Sequence, residues 1–276
     1  MPGPATIEPA SLETGTEEIR CRLEDRVAVV MLYRPEARNA LTLEMKRSLA
    51  DLVPRLGADP AVGCLLLTGA PPAFCAGGDT KRMARDGRLP SPEERLEQLR
   101  WEHGIPLAIH ELPKPVVAAL PGAAAGAGLS LALSCDLRIL AESAFVTTSY
   151  ARLGLSGDYG GSWFLTRLVG TARARELYFT ADRIDARECL RIGLANRVVP
   201  DAELEKEALS LAKRIAAGPP LALGWIKDNL NRALGDDLRA CLDREAERMV
   251  AGAQTEDYLE AVRAFAEKRS PEFKGR

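Results

Sequence analysis

The sequence predicts an α/β protein with a largely parallel sheet and an all-helical C-terminal part. Between residues 19 and 200, short apolar β-rich runs alternate with helix-patterned segments, an order that calls for right-handed crossovers and parallel strands. Beyond Pro200 the strand signals stop, and Leu230, Leu234, Leu238 and Leu242 recur every four residues. The chain of 276 residues, 46% hydrophobic and 28% charged, can bury a sizeable core.

The elements follow in order. Residues 1–18 carry prolines, glycines and acids without an apolar stretch, and are expected to form a flexible tail rather than a signal peptide. Runs 19–23 and 27–32, separated by Glu24, Asp25 and Arg26, predict a hairpin. Thr42 caps a helix expected to end near Gly57, with Pro54 ending or kinking it early. Residues 64–68 read as a buried strand, and 69–79 as a loop. Ser91, Pro92 and Glu94 form a capping-box start for a helix to about His110. Residues 116–120 are a second buried strand, 126–135 a helix of small residues, and 137–140 a third strand. A helix over 160–169, a capped helix over 185–193 and a last strand over 195–199 complete the α/β part. Gly235 is expected to split the leucine run into two helices. The organisation read from this is a tail (1–18), a core (19–200) and a helical region (201–276).

A net charge of −2 gives no general pull toward nucleic acid or anionic membrane. No apolar run is long and unbroken enough to span a bilayer, since Pro121 and several glycines interrupt the richest one, 116–133. Six scattered cysteines form no C-x-x-C pair, so a metal site is not expected and a reducing cytoplasm is the simplest compartment. Cys64 and Cys135 read as small buried hydrophobes.

Three glycine-rich segments stand out. The first, F-C-A-G-G-D at 74–79, is either a tight turn or a place where a ligand meets the backbone. The second, G-A-A-A-G-A-G-L-S at 122–130, joins a buried strand to a helix start, where free amides favour negative charge. A dinucleotide reading fits poorly because Leu131 stands where a third glycine is needed. Close helix–sheet packing is the plainer alternative. The third segment, 154–163, contains Asp158, which by position reads first as a helix N-cap and second as a carboxylate base. His103 and His110 read as packed or solvated, Asp136 and Glu142 as turn residues, and Ser130 as a filler of volume. Trp101, Tyr150 and Trp163 line a pocket or belong to the core.

These segments, with R-P-E-A-R-N-A-L at 34–41, A-F-A-E-K-R at 264–269 and F-K at 273–274, occur in the order and spacing of the crotonase superfamily, the enoyl-CoA hydratase/isomerase family, which the chain resembles from residue 19 to its end. The resemblance implies a crotonase-like spiral of repeated ββα turns with a helical extension for self-assembly, as a homotrimer or dimer of trimers. It implies an acyl-CoA thioester substrate, with coenzyme A as part of the substrate and no separate cofactor. Backbone amides of Ala76 and Ala127 match the two donors of an oxyanion hole. Asp158 matches the acid/base position of isomerase-type members. Arg38 and Ala40, then Gly77, Gly78 and Asp79, then Ala125, Gly126, Ser130 and Tyr150, match positions along the acyl-CoA. Phe265 and Lys268 match the helix that reaches the nucleotide of a neighbouring subunit.

Ser130 and Tyr150 stand where hydratases of the family carry two glutamates, so a two-glutamate hydration is ruled out as it stands. A lone Asp with G-A-A-A-G-A-G-L-S is similar to isomerases of ring-modified phenylacetyl-CoA. The resemblance therefore implies isomerisation of an unsaturated acyl-CoA with Asp158 as proton shuttle. Hydration by Asp158 and a water, covalent attack by Asp158, or acyl-CoA binding without turnover are the alternatives.

Overall fold

The computed structural model describes residues 10–79 and 91–276. Eleven strands are assigned within them: β1 (Ala10–Leu12), β2 (Ile19–Glu24), β3 (Val27–Leu32), β4 (Cys64–Gly69), β5 (Ala73–Cys75), β6 (Val116–Leu120), β7 (Ala123–Ala125), β8 (Leu137–Ala141), β9 (Phe145–Thr147), β10 (Ile184–Asp185) and β11 (Arg197–Val199). The larger sheet runs β1-β2-β3-β4-β6-β8-β11, antiparallel from β1 to β3 and parallel from β3 onward. The smaller sheet runs β10-β9-β7-β5, parallel among β5, β7 and β9. Each strand of the parallel stretch β4, β6, β8 is followed by a short strand of the smaller sheet, so the chain winds as successive strand–strand turns.

The hairpin closes on Asp25 and Arg26, both at positive φ (47° and 64°), the backbone that a two-residue hairpin turn requires. Helix α1 (Leu43–Ala58) starts at Thr42, whose hydroxyl accepts the Met45 N–H at 3.0 Å, and runs through Pro54 instead of stopping there. The expected single helix 91–110 is two, α2 (Pro92–Glu102) and α3 (Gly104–Glu111). Pro106 has no N–H to offer the Glu102 carbonyl, which explains the break at His103. The capping box at Ser91 and Glu94 is formed. Helix α4 (Ala127–Leu133) follows β7, with Gly126 as its N-cap at φ 52° and ψ −124°, a backbone only glycine adopts readily. Helix α5 (Gly161–Thr180) is two helices meeting at a kink at Gly170 (φ 79°, ψ 163°); the first ends where the sequence suggests, and the second, running to Thr180, is additional. Asp185 caps α6 (Ala186–Arg191), accepting the Glu188 N–H at 2.8 Å.

Residues 10–12 of the expected tail are strand β1, paired with β2, and the carbonyl of Thr14 accepts the Ser48 hydroxyl at 2.6 Å. Residues 1–9 of that tail lie outside the described residues. After β11 only helices follow: α7 (Leu204–Ala216), α8 (Pro220–Arg232), α9 (Leu238–Gly252) and α10 (Glu256–Glu267), with one 3-10 turn before them. Helix α7 lies past Pro200 yet belongs to the core, burying Leu204, Ala208, Leu211, Ala212 and Ala216 against the large sheet. Helix α8 is tied back by Lys227, whose ammonium donates to the carbonyls of Ile109 (3.0 Å) and Lys114 (3.2 Å) and pairs with Asp136 (2.9 Å). The Asp136 carboxylate also accepts the Val116 N–H at 2.7 Å, the turn role its position suggests. No helix among the described residues is long and apolar enough to cross a membrane.

His110 packs edge-on against Trp163 and Phe164. Burial first, then the nearby Lys227 charge, lowers its proton affinity below the ordinary 6.5. The unfolded chain therefore takes up this proton at a higher pH than the folded one. The stability tied to a neutral His110 is complete above the unfolded value and drains as pH falls toward the folded one. His110→Phe should narrow the gap in melting temperature between neutral pH and about pH 5, read by scanning calorimetry.

Candidate active site

The loop after β5 and the start of α4 are brought together by small residues. A Cβ built on Gly128 would lie 2.3 Å from the Cys75 carbonyl, and one on Gly77 (φ 91°) would lie 2.8 Å from the Ala125 carbonyl and 3.5 Å from the Ala127 nitrogen. Only backbone fits between these segments. The close packing expected of the second segment is thus present.

The amides differ in what they can still do. Ala127 N–H opens α4, so it has no partner in its own helix, nor a hydrogen-bond partner elsewhere among the described residues. The Ala76 N–H, expected to be the other donor, is occupied: it donates to the Arg38 carbonyl at 3.0 Å. The Gly77 N–H points to the Cys75 sulfur at 3.5 Å. Two residues beyond Ala76, the half-buried Gly78 has an N–H with no hydrogen-bond partner among the described residues. Among the described residues the amides of Gly78 and Ala127, unlike that of Ala76, keep no hydrogen-bond partner. Which amide is spent on loop closure is a tertiary fact that the sequence does not carry.

That closure depends on Asn39, which the sequence reading passed over. Asn39 is fully buried at φ 56°, and its Nδ2 lies within hydrogen-bond distance of the carbonyls of Ala70 (2.8 Å), Ala73 (2.7 Å) and Phe74 (3.2 Å), while its Oδ1 accepts the Arg34 N–H. The signal was the asparagine itself, one of the few side chains that tolerate left-handed backbone while bonding locally. Arg34 adds a second tie, donating to the Ala40 carbonyl (2.9 Å) and pairing with Asp79 (3.2 Å). Asp79 thus serves loop geometry. Arg38 is exposed and Ala40 is buried. The Cys75 thiol, buried beside the loop, is pushed up to about 12 by burial, so it is no nucleophile at neutral pH.

Asp158 is not a cap. Gly160 is the N-cap of α5 and makes no side-chain bond, and it is the Asp158 carbonyl that accepts the Gly161 N–H at 3.1 Å. Its carboxylate instead accepts the Tyr150 hydroxyl at 2.6 Å. Ser130 reaches both: its Oγ is 3.3 Å from the Tyr150 hydroxyl and 3.2 Å from the Asp158 carbonyl. Ser130 is therefore a node of hydrogen bonds rather than a filler. The Tyr150 ring stacks parallel on Tyr178 at 6.2 Å. A Cβ on Gly126 would touch that ring at 3.8 Å, so the ring abuts the residue just before Ala127. Ser130, Tyr150 and Asp158 thus converge on the start of α4. Burial and the Asp158 charge push the Tyr178 hydroxyl up to about 12.

Phe265 and Lys268 are not part of this cluster within one chain. Phe265 stands 88% exposed on α10, and Lys268 ends that helix with left-handed backbone at φ 55°. Trp163 is partly exposed under the Arg167 guanidinium, and Trp101 is exposed. His103 rests edge-on against Tyr159, with its Nε2 buried and without a hydrogen-bond partner among the described residues.

The model of the enoyl-CoA hydratase/isomerase family matches residues 22–276. The chain is 37% identical over 260 residues to the 1,2-epoxyphenylacetyl-CoA isomerase of Escherichia coli (strain K12), covering 94% of this chain and 99% of that one. It is 36% identical over 255 residues to the short-chain-enoyl-CoA hydratase of Clostridium acetobutylicum, covering 92% and 96%. Among solved structures, an enoyl-CoA hydratase from Polaromonas sp. JS666 superposes with a TM-score of 0.88 at 35% identity, over 92% of this chain and 99% of that one.

Proposed function

The chain belongs to the enoyl-CoA hydratase/isomerase family, and from that premise we propose that it isomerises an unsaturated acyl-CoA through an enolate, with Asp158 moving the proton. The observation that carries this reading is the Asp158 carboxylate held by the Tyr150 hydroxyl, with Ser130 on the Asp158 backbone carbonyl, beside the start of α4, whose first amide is uncommitted. The Ala127 and Gly78 N–H groups would receive the thioester oxygen. Two fixed donors stabilise charge as it develops there without reorganising solvent. Asp158 takes the proton from the carbon next to the carbonyl, and the C–H electrons delocalise onto the oxygen. When the enolate collapses, the electrons return through the conjugated system and the more distant carbon takes the proton back from Asp158. The double bond has moved and no atom has been gained.

Hydration with Asp158 and a water is the second reading, favoured by the likeness to a protein named a short-chain hydratase. Incubating the protein with 3-hexenoyl-CoA, crotonyl-CoA and ring-1,2-epoxyphenylacetyl-CoA, with products identified by mass spectrometry, separates the two. A product of unchanged mass with a shifted double bond or ring is expected. A product heavier by one water would replace the first reading with the second, and no turnover of any thioester would leave only binding. Because the donor at 127 is a backbone group, Ala127→Gly should keep kcat within about fivefold of the parent, and a loss beyond about a hundredfold in a folded variant would remove Ala127 from the site.

Self-assembly belongs to the same proposal. Leu230, Leu234, Leu238, Leu242, Met249, Val250 and Phe265 are all exposed on α8–α10 or the turn between α8 and α9, an apolar display of the kind that marks an interface. A homotrimer or dimer of trimers covers it. Light scattering at micromolar concentration should show a multiple of three chains, and a stable monomer would contradict this.

A further inference from the structure

We propose that Tyr150 is a positioning residue for the Asp158 base, braced by Ser130, and that it reserves one carboxylate oxygen for the substrate while closing the other to water. The inference deepens the isomerase reading above and rests on it.

A carboxylate has two oxygens, and a proton shuttle works cleanly when one of them does the work. Tyr150 Oη donates to Asp158 Oδ1 at 2.6 Å, which occupies that oxygen with a short charge-assisted bond. Tyr150 is 7% exposed, so the phenol cannot be displaced cheaply by solvent. Its ring is fixed on three sides: stacked on Tyr178, against Gly126, and 3.6 Å from the place a Cβ on Gly157 would occupy. Burial, with the Asp158 charge beside it, raises the proton affinity of the phenol well above the ordinary tyrosine range. The hydroxyl therefore stays a donor at every working pH and does not itself become the base.

Ser130 supplies the brace. Its hydroxyl contacts the Tyr150 oxygen, the Asp158 carbonyl and the Gly126 carbonyl, each at 3.2–3.3 Å. Ser130 stands on α4, one turn after the Ala127 amide. The same helix thus carries the amide and holds the base in register with it. A Cβ on Gly161 would fall 2.4 Å from Ser130 Oγ and 2.6 Å from Tyr178 Oη, so the cluster has no room for an extra side chain.

The test uses the thioester of the panel that turns over fastest, with Tyr150→Phe, Ser130→Ala and Asp158→Asn assayed beside the parent in D2O. Tyr150→Phe keeps the stacked ring and deletes the bond. It should lower kcat about tenfold with KM unchanged within twofold, and raise the deuterium incorporated per turnover several-fold, because Oδ1 opens to solvent. Ser130→Ala, which keeps the phenol–carboxylate bond, should lower kcat only about threefold. If Tyr150→Phe retains parental kcat and deuterium incorporation, or if kcat and KM change only together with a lost melting transition in both variants, the positioning role is wrong. Asp158→Asn separates this from the underlying reading. Parental turnover in that variant sinks the base assignment itself, whereas a dead Asp158→Asn with a normal Tyr150→Phe sinks only the present inference.

Discussion

Asp158→Asn is expected to lower kcat by about a thousandfold, within the range typical for removing a positioned acid–base group. Asparagine has nearly the same shape, so it can still accept the Tyr150 hydroxyl that now reaches Oδ1. It cannot hold a proton at neutral pH. Affinity for the thioester should survive, because the amides and the loop that would meet the substrate are untouched. Isothermal titration with a non-reactive acyl-CoA gives affinity, and product formation gives kcat. A folded variant that binds normally but does not turn over is the expected pair of results. Parental turnover would end the proton-shuttle account.

Glu102→Ala should be the most destabilising single substitution considered for this chain. Glu102 is 1% exposed and pairs with the buried Lys46 at 2.9 Å. It also receives the Tyr159 hydroxyl at 3.2 Å and the Gln98 amide at 2.8 Å. Removing the carboxylate leaves an ammonium buried without its counter-charge, a change that costs about 3–5 kcal/mol. A fall in melting temperature on the order of 10 °C is expected in calorimetry. Removing both charges, as Lys46→Met with Glu102→Leu, should recover much of the loss. If the double variant is no more stable than Glu102→Ala, the cost lies in the Tyr159, Gln98 and Arg95 bonds to the carboxylate rather than in the orphaned Lys46 charge. Tyr159 follows Asp158 directly and is buried at φ 54°, so the site loop is pinned through this network.

The sequence made the larger elements legible because they carry long periodic signals or sharp punctuation. Thr42, Ser91 and Asp185 cap the helices they announce, and Gly235 lies in the turn that separates α8 from α9. The three-residue strands β5, β7 and β9 are too short for any period and were visible only through likeness to a family. The second half of α5, beyond the kink at Gly170, was not legible because a glycine ordinarily ends a helix, as it does here for the first half. The site divides the same way. Its loops could be found from glycine content and order. Which amides remain uncommitted, and whether Asp158 caps a helix or meets Tyr150, depends on contacts between residues far apart in sequence.

The winding of the chain also sets when the site can exist. Strands β3, β4, β6, β8 and β11 pair in parallel, so each contact in that sheet waits for an intervening segment to return. Such connectivity places the protein among slow folders, since loop closure precedes the contacts that reward it. During synthesis the Gly78 loop is laid down first, the Ala127 helix next and Asp158 after both. A nascent chain ending before residue 158 would hold the Gly78 and Ala127 amides without the Asp158 carboxylate. Strand β11 and the core helix α7 are laid down later still, so the sheet that carries these segments closes only after all three have been made.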